Sequence, residues 1–454
     1  MSFQQGLSGL SAAATNLEVI ANNISNSSTI GAKSSRAEFS DLYAQASGGQ
    51  RTAGIGTALA AVTQDHTQGS ISTTGRNLDL AIDGQGFFQV QVPNQSGGQQ
   101  AANSMLYTRN GQFKTDKDGW IVTNEGARLV GYGADPTSGG VRKGQLQELK
   151  IPDPRLAQKA SSEIIQSFNL NSADTVKPGT FDPAKGESYN YSSSIKVFDQ
   201  LGQSVEISTF YKKTAAGIWD VFATANGKTF PVGGGRIGEV NFTASPNGNA
   251  PPVVAPTQPV LDRTTGLAIT PVPPIIPLKA NLLDAALNAG ATGGVQYRFA
   301  VTGATDGLHD VHLNLSGVSQ QAGDYAVAKL SQDGFPVGTL SGFNFDEQGV
   351  LSARYSNGQT VTAGQLAIAN FRNPQGLQPV GGNAWEETQA VGTKVVDVPG
   401  TGSLGDLVAG AVEESNVDLT AELVNLITAQ RTYQANAQSI KTQDQVTQTF
   451  LNMR

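Results

Sequence analysis

The sequence predicts a mainly β body of two or more β-rich domains in series, with N- and C-terminal α-helices paired as a coiled-coil-like terminal domain. Three observations predict it. There are 53 glycines in 454 residues, with 38% hydrophobic and 15% charged residues, a composition of many turns and short strands. Near the C-terminus Leu419, Leu423, Leu426, Gln430, Tyr433, Ala437, Ile440, Asp444, Thr447 and Leu451 recur at alternating spacings of four and three. Near the N-terminus Phe3, Leu7, Leu10, Ala14, Leu17, Ala21 and Ile24 keep the same rhythm. Sustained heptad spacing argues coiled-coil packing, so the two ends are expected to pair.

The pair is not expected to stand alone. Burying one seam side chain yields at most ~1.5 to 3 kcal/mol, while ordering each residue costs ~1 to 2 kcal/mol whether or not it lies on the seam. Neighbouring molecules must therefore cover the remaining faces, for which Val19, Ile20, Val424 and Ile427 supply apolar surface off the seam. Charge agrees, because Glu18 is the one ionisable side chain from Met1 to Ala32, whereas a solvated helix face carries many. Residues 1–28 with 416–454 read as a helical assembly domain. Its candidate assembly residues are Phe3, Leu7, Leu10, Leu17, Ile24, Leu419, Leu423, Leu426, Tyr433, Ile440 and Leu451.

The turn formers Asn22-Asn23-Ile24-Ser25-Asn26-Ser27-Ser28-Thr29-Ile30-Gly31 end the first helix. Residues 29–70 with 396–415 read as an extended connector, with one short helical piece around Phe39, Leu42 and Tyr43. A β domain follows. Leu78, Leu80 and Ile82 alternate with Asp79 and Ala81, Asp83-Gly84 turns, and Phe87 to Val92 continues as a strand. A hairpin series runs through Gly111-Gln112-Phe113, Trp120-Ile121-Val122 and Leu129-Val130-Gly131-Tyr132. The same design returns at Phe343-Asn344-Phe345, Val350-Leu351 and Gln359 to Val361, so residues 71–161 with 321–395 read as one β domain split by an insertion. The insertion, 162–320, has its own strands and forms an outer β domain. Within it, 246–277 holds nine of the chain's 20 prolines and reads as an extended surface excursion.

No chemistry stands out. Gly84-Gln85-Gly86 lacks the third glycine and the following helix of a nucleotide loop, and reads as a turn. His309 and His312 sit where Val311, Leu313 and Leu315 alternate, and on a strand residues three apart point to opposite faces, so no metal is expected. No Gly-x-Ser-x-Gly elbow, HExxH helix or Walker loop occurs. The absence of cysteine removes disulfides, thiolate metal sites and a Cys nucleophile. A net charge of -7 argues against nucleic acid or an anionic membrane as partner, and no apolar run approaches the ~20 residues of a membrane span. No enzyme and no cofactor is expected, although a glycosidase with two unpaired carboxylates, or a β-rich adhesin or carbohydrate-binding module, remains as a competing reading. The N-terminus lacks a Sec-type leader, which suggests cytoplasm. A disulfide-free chain with uncharged ends equally suits export in unfolded form through a narrow channel.

Several longer motifs carry a resemblance. Ala21-Asn22-Asn23-Ile24-Ser25-Asn26, Leu78 to Phe88, Tyr107-Thr108-Arg109-Asn110-Gly111, Ser415-Asn416-Val417-Asp418-Leu419 and Ala429 to Asn436 resemble the bacterial flagellar rod and hook family. Ala367 to Phe371 and Asn373 to Leu377 resemble its hook branch. Where that family usually places an aromatic between glycine and lysine, this chain has Ala32. The resemblance implies a structural subunit that leaves through the flagellar type III export apparatus and polymerises with itself into a curved hollow tube. It implies contacts with rod proteins, a hook cap and hook-filament junction proteins, and work as a universal joint outside the cell. A straight distal-rod subunit is the alternative within the family.

Overall fold

Two helices carry the ends of the chain: α1, Phe3–Ser25, and α2, Leu419–Asn452. The computed structural model describes residues 3–43, 54–93, 104–135, 139–229, 236–242, 296–302, 308–315 and 317–452. The Pro-rich tract 246–277 lies outside them. α1 ends as its asparagines predict, with Asn26 donating from its backbone N–H and its side chain to the Asn22 carbonyl, each at 3.0 Å. Gly31 then turns the chain at φ +69, and a Cβ there would lie 2.5 Å from the Asn110 backbone nitrogen. α2 begins on Asp418, whose carboxylate accepts from Thr420 N at 2.9 Å and Ala421 N at 3.1 Å, an N-cap.

The segment read as a connector with a short helical piece is a β-hairpin instead. Strand β1, Ser35–Tyr43, pairs antiparallel with β2, Gly54–Gln64. Phe39, Leu42 and Tyr43 therefore lie in a strand. Their spacing of three and one fits a helix only over too few residues to outweigh the cross-strand partners Leu59 and Gly56. Residues 396–415 are not a free connector either, since strands Asp406–Ala409 and Ala411–Glu413 pair with Leu80–Asp83 and Ile71–Thr73.

The chain forms two compact units. The first holds residues 1–153, 341–354 and 360–454, and its strands interleave early and late sequence. Phe87–Gln91 pairs with Met105–Thr108, which pairs with Ala384–Glu386, while Arg128–Ala134 pairs with Thr360–Leu366. The two hairpin series singled out in the sequence are thus neighbours. Between these strands Phe87, Tyr107, Phe371, Leu377 and Trp385 form a buried aromatic core.

The second unit holds residues 154–340 and 355–359. The insertion therefore runs on to Leu340 rather than stopping at 320, because strand Ala326–Gln332 pairs antiparallel with Glu163–Asn171. Glu163–Asn171 alternates strictly, with Ile164, Gln166, Phe168 and Leu170 inward. Ile164, Phe168 and Leu170 meet Val197, Val205, Ile207, Tyr211 and Trp219 of a second sheet across one buried apolar core. The buried Gln166 is held by the Tyr211 hydroxyl, which donates to its Oε1 at 2.5 Å. His309 and His312 fall on strand Leu308–Asn314.

Candidate assembly interface

α1 and α2 pack against each other antiparallel, with Gly6 opposite Ile440, Gly9 opposite Asn436, and Asn23 donating to Glu422 Oε1 at 3.0 Å. Ala13, Ile20 and Ala429 are buried between them. The contact row on α1 is Gly6, Gly9, Ala13, Ile20 and Asn23, one residue behind the leucine seam that the spacing predicted. Small side chains explain the correction. A Cβ on Gly6 would lie 2.9 Å from Ile440 Cγ1, so the backbones approach more closely than a leucine row permits.

The leucines face elsewhere. Leu7 is 52% exposed, Leu419 46% and Leu423 45%, and Tyr433 is exposed as well. Leu10, Leu17, Ile24, Leu426 and Ile440 are half-buried. Phe3 and Leu451 lie in the helices, and their side chains are outside the described residues. Beside this stripe, Val424 and Ile427 are also exposed.

Below the helices lies a buried ionic junction that sequence reasoning missed. Glu413 accepts from Lys33 Nζ at 2.6 Å on Oε1 and from Arg109 Nη1 at 2.8 Å on Oε2, with all three side chains almost wholly out of solvent. Gly69 N also donates to Glu413 Oε1 at 2.9 Å, and Arg109 Nη2 donates to the Gly84 carbonyl at 2.7 Å. Burial pulls the Lys33 ammonium below the ordinary lysine value, opposed by the neighbouring Glu413 charge. One carboxylate so clamps the turn after α1, the body and the strand leading to α2. Asn416 adds to it, accepting from Ser34 N and donating to the Asp65 carbonyl, both at 2.8 Å. The one available signal was that Arg109 and Asn416 each sit inside a motif of the resemblance, with Lys33 directly after Ala32, where the chain departs from the family's pattern.

His66 packs edge-on against Phe87 and Trp385, with centroids 5.6 and 5.4 Å away. Burial, then the nearby Lys33 and Arg109 cations, lowers its pKa from 6.5 to about 4. The ring is neutral at pH 7. Ala32, in place of the family's aromatic, is buried and donates from its backbone to the Thr29 carbonyl at 3.2 Å.

Paired terminal helices that keep their apolar stripe outward, clamped to a strand body built from both ends of the chain, are the features of a flagellar axial subunit. Family profiles agree along the chain: Flagella basal body rod protein at 3–33, Flagellar hook protein FlgE/F/G D1 domain at 81–172, Flagellar basal body protein FlaE D2 domain at 169–335, and Flagellar basal body rod FlgEFG protein C-terminal at 408–453. The chain belongs to the flagellar hook protein FlgE family. It is 36% identical over 461 residues to the flagellar hook protein FlgE of Escherichia coli (strain K12), covering 100% of each chain. To the Salmonella typhimurium (strain LT2) protein of that name it is 35% identical over 456 residues, again covering 100% of each. A crystal structure of Helicobacter pylori flagellar hook protein FlgE2 matches with a TM-score of 0.47 and 15% identity, covering 74% of this chain and 98% of that one.

Proposed function

We propose that the chain is a structural subunit of the bacterial flagellar hook, polymerising through its terminal helices into a curved hollow tube that carries torque from rod to filament. The observation that carries this reading is the exposed apolar patch of Leu419, Leu423, Val424 and Ile427 at the start of α2. The helix pair is folded, yet it spends small residues on its own contact and leaves its large apolar ones in water. A contiguous exposed patch of that kind marks an interaction surface. The partner is a further copy of the chain, and on this reading the contact extends to Phe3, Leu7, Leu10, Leu17, Ile24, Leu426, Tyr433 and Leu451, while Ile440 packs on Gly6 within one molecule. Membership of a structural family supports a role without catalysis. The rod-protein profiles at both ends support contacts with rod proteins, and by the same logic of stacked axial parts with a hook cap and hook-filament junction proteins. The absence of cysteine suits passage through the type III export apparatus. The proposed domain roles follow: helices for assembly, split β body for the tube wall, and residues 154–340 as the outer domain.

Electron microscopy of the purified, polymerised protein tests this. Short curved tubes are expected. Straight rigid tubes would make it a distal-rod subunit, and no polymer at any concentration would end the assembly reading.

A further inference from the structure

His66 joins two parts of the first unit. It follows β2, whose hairpin is tied to α1 by Asn23, donating to the Ser35 carbonyl at 2.8 Å and accepting from Ser35 N at 2.9 Å. Its ring packs on Phe87 and Trp385, which belong to the β body. Gln64 makes the same crossing, accepting from Trp385 Nε1 at 2.6 Å on its side chain and from Gln375 Nε2 at 2.8 Å on its backbone carbonyl. The body's aromatic core closes on its own members, Tyr107 against Phe371 at 4.7 Å and Phe87 against Phe371 at 5.9 Å, so the imidazole is not needed to fill it.

The slot is unfit for a positive ring. His66 Nδ1 is buried with no hydrogen-bond partner among the described residues, so a proton there adds an N–H without an acceptor. The charges around it are Lys33 on the turn after α1, Arg109 after strand Met105–Thr108, Asp65 beside it, and Glu413 on the strand leading to α2. Glu413 is already shared by the two cations, and Lys33 Nζ also donates to the Thr67 carbonyl at 2.6 Å, one residue from His66. Asp65 is exposed and its carboxylate accepts from Thr67 N at 2.9 Å. Past Trp385, Glu387 and Lys394 pair with each other at 2.6 Å. Nor does the Phe87 ring compensate, because the Arg109 guanidinium lies over it at 5.4 Å and a second cation there meets a like charge.

We propose that His66 is an acid-released pin: when its ring takes a proton it leaves the slot, and the hairpin with the base of the helix pair loosens from the β body, while the body's aromatic core and the outer unit stay closed. The device belongs to the single molecule and does not rest on the polymerisation reading. Linkage sets its size. An open form that titrates as a free imidazole at 6.5 gains on the closed form about tenfold per pH unit below that value, levelling off at roughly 300-fold below the closed form's value of about 4.

Hydrogen exchange of the full, unpolymerised chain tests it, read peptide by peptide by mass spectrometry at about pH 7, 5.5 and 4 with intrinsic rates removed. The amides of Gly31 and Gly69, which donate to the Glu413 carbonyl and to its Oε1, report the base, and those of Glu163–Asn171 report the outer unit. Protection at the base and along β2 is expected to fall about tenfold at pH 5.5 and about a hundredfold or more at pH 4, with Glu163–Asn171 unmoved. His66→Phe keeps the packing and every carboxylate but cannot titrate, and its protection should not follow pH. His66→Arg carries the charge at every pH and should show the open behaviour already at pH 7. An equal acid loss in His66→Phe would pass the response to Asp65 or Glu413 and overturn the proposal. So would unchanged protection of the parent at pH 4, a result that needs no variant to fold. A simultaneous loss in Glu163–Asn171 would overturn it as well, since the whole chain would then be unfolding.

Discussion

The outer unit and the terminal helices spend their large side chains in opposite ways. In the outer unit Trp219, Tyr211 and Ile164 are fully buried between two sheets, and the strands facing solvent are polar at alternate positions. In the helix pair the buried residues are Gly6, Ala13, Ile20, Asn23 and Ala429, while Leu7, Leu419 and Leu423 stand in water. The first region is stabilised by its own core. The second is folded in one molecule but leaves large side chains uncovered, and on the polymerisation reading a neighbour adds to its stability. Local sequence apolarity is therefore no guide to which region is self-sufficient.

Four experiments break or sharpen this contrast. The largest effect is expected from Trp219→Ala, which empties the centre of the outer core at a cost of about 3–5 kcal/mol. Thermal melting of the unpolymerised protein checks it, and an unmoved transition would deny that this unit stands on its own packing. Next comes Glu413→Gln, which leaves Lys33 and Arg109 as buried cations with their counter-charge gone and costs roughly 3 kcal/mol. Far-ultraviolet circular dichroism on heating should show the helical signal lost at lower temperature, while the outer unit melts as before.

A third test uses pH. The native His66 pKa of about 4 lies below the unfolded value of 6.5, so as pH falls through that window the unfolded chain binds a proton that the native ring refuses. Stability from this group is full above about pH 6.5 and declines toward pH 4, by at most about 3 kcal/mol and less for a ring that keeps some solvent contact. His66→Phe should flatten that part of the stability curve relative to the parent. Equal slopes in both would remove His66 from the account. The smallest effect on the single molecule belongs to Leu423→Ala, whose melting should stay within about 0.5 kcal/mol of the parent, while tube yield falls. Leu426→Ala, at a half-buried position, should lower both quantities. Equal melting losses in the two variants would show that the stripe is ordinary core.

The heptad rhythm was legible in the sequence, but not which side of it faces the partner helix. Hydropathy marks leucines, and in the contact row of Gly6, Gly9, Ala13, Ile20 and Asn23 only Ile20 is strongly apolar. The split body was legible because its two hairpin series share one turn grammar, and strands Arg128–Ala134 and Thr360–Leu366 do pair. The hairpin of β1 and β2 was not, since three apolar residues fit either period and the deciding partner lies on another strand. The ionic junction was beyond reach for a different reason: Lys33, Arg109 and Glu413 are ordinary surface residue types, and only folding brings them together from positions up to 380 residues apart.

That separation bears on the order in which the molecule can close. Strand Ile71–Thr73 pairs with Ala411–Glu413, and Lys33 waits for Glu413, so the base of the helix pair consists of contacts between the chain's two ends. Contacts of such long range carry the largest loop-closure entropy and form late. The outer unit, by contrast, lies wholly between Pro154 and Gln359 and depends on neither end. A chain delivered end first, whichever end leads, can fold its middle early, but it cannot lock its base until nearly all of it has arrived. The surface that would join a neighbour is therefore finished last, so premature association of half-delivered chains has no completed site to use.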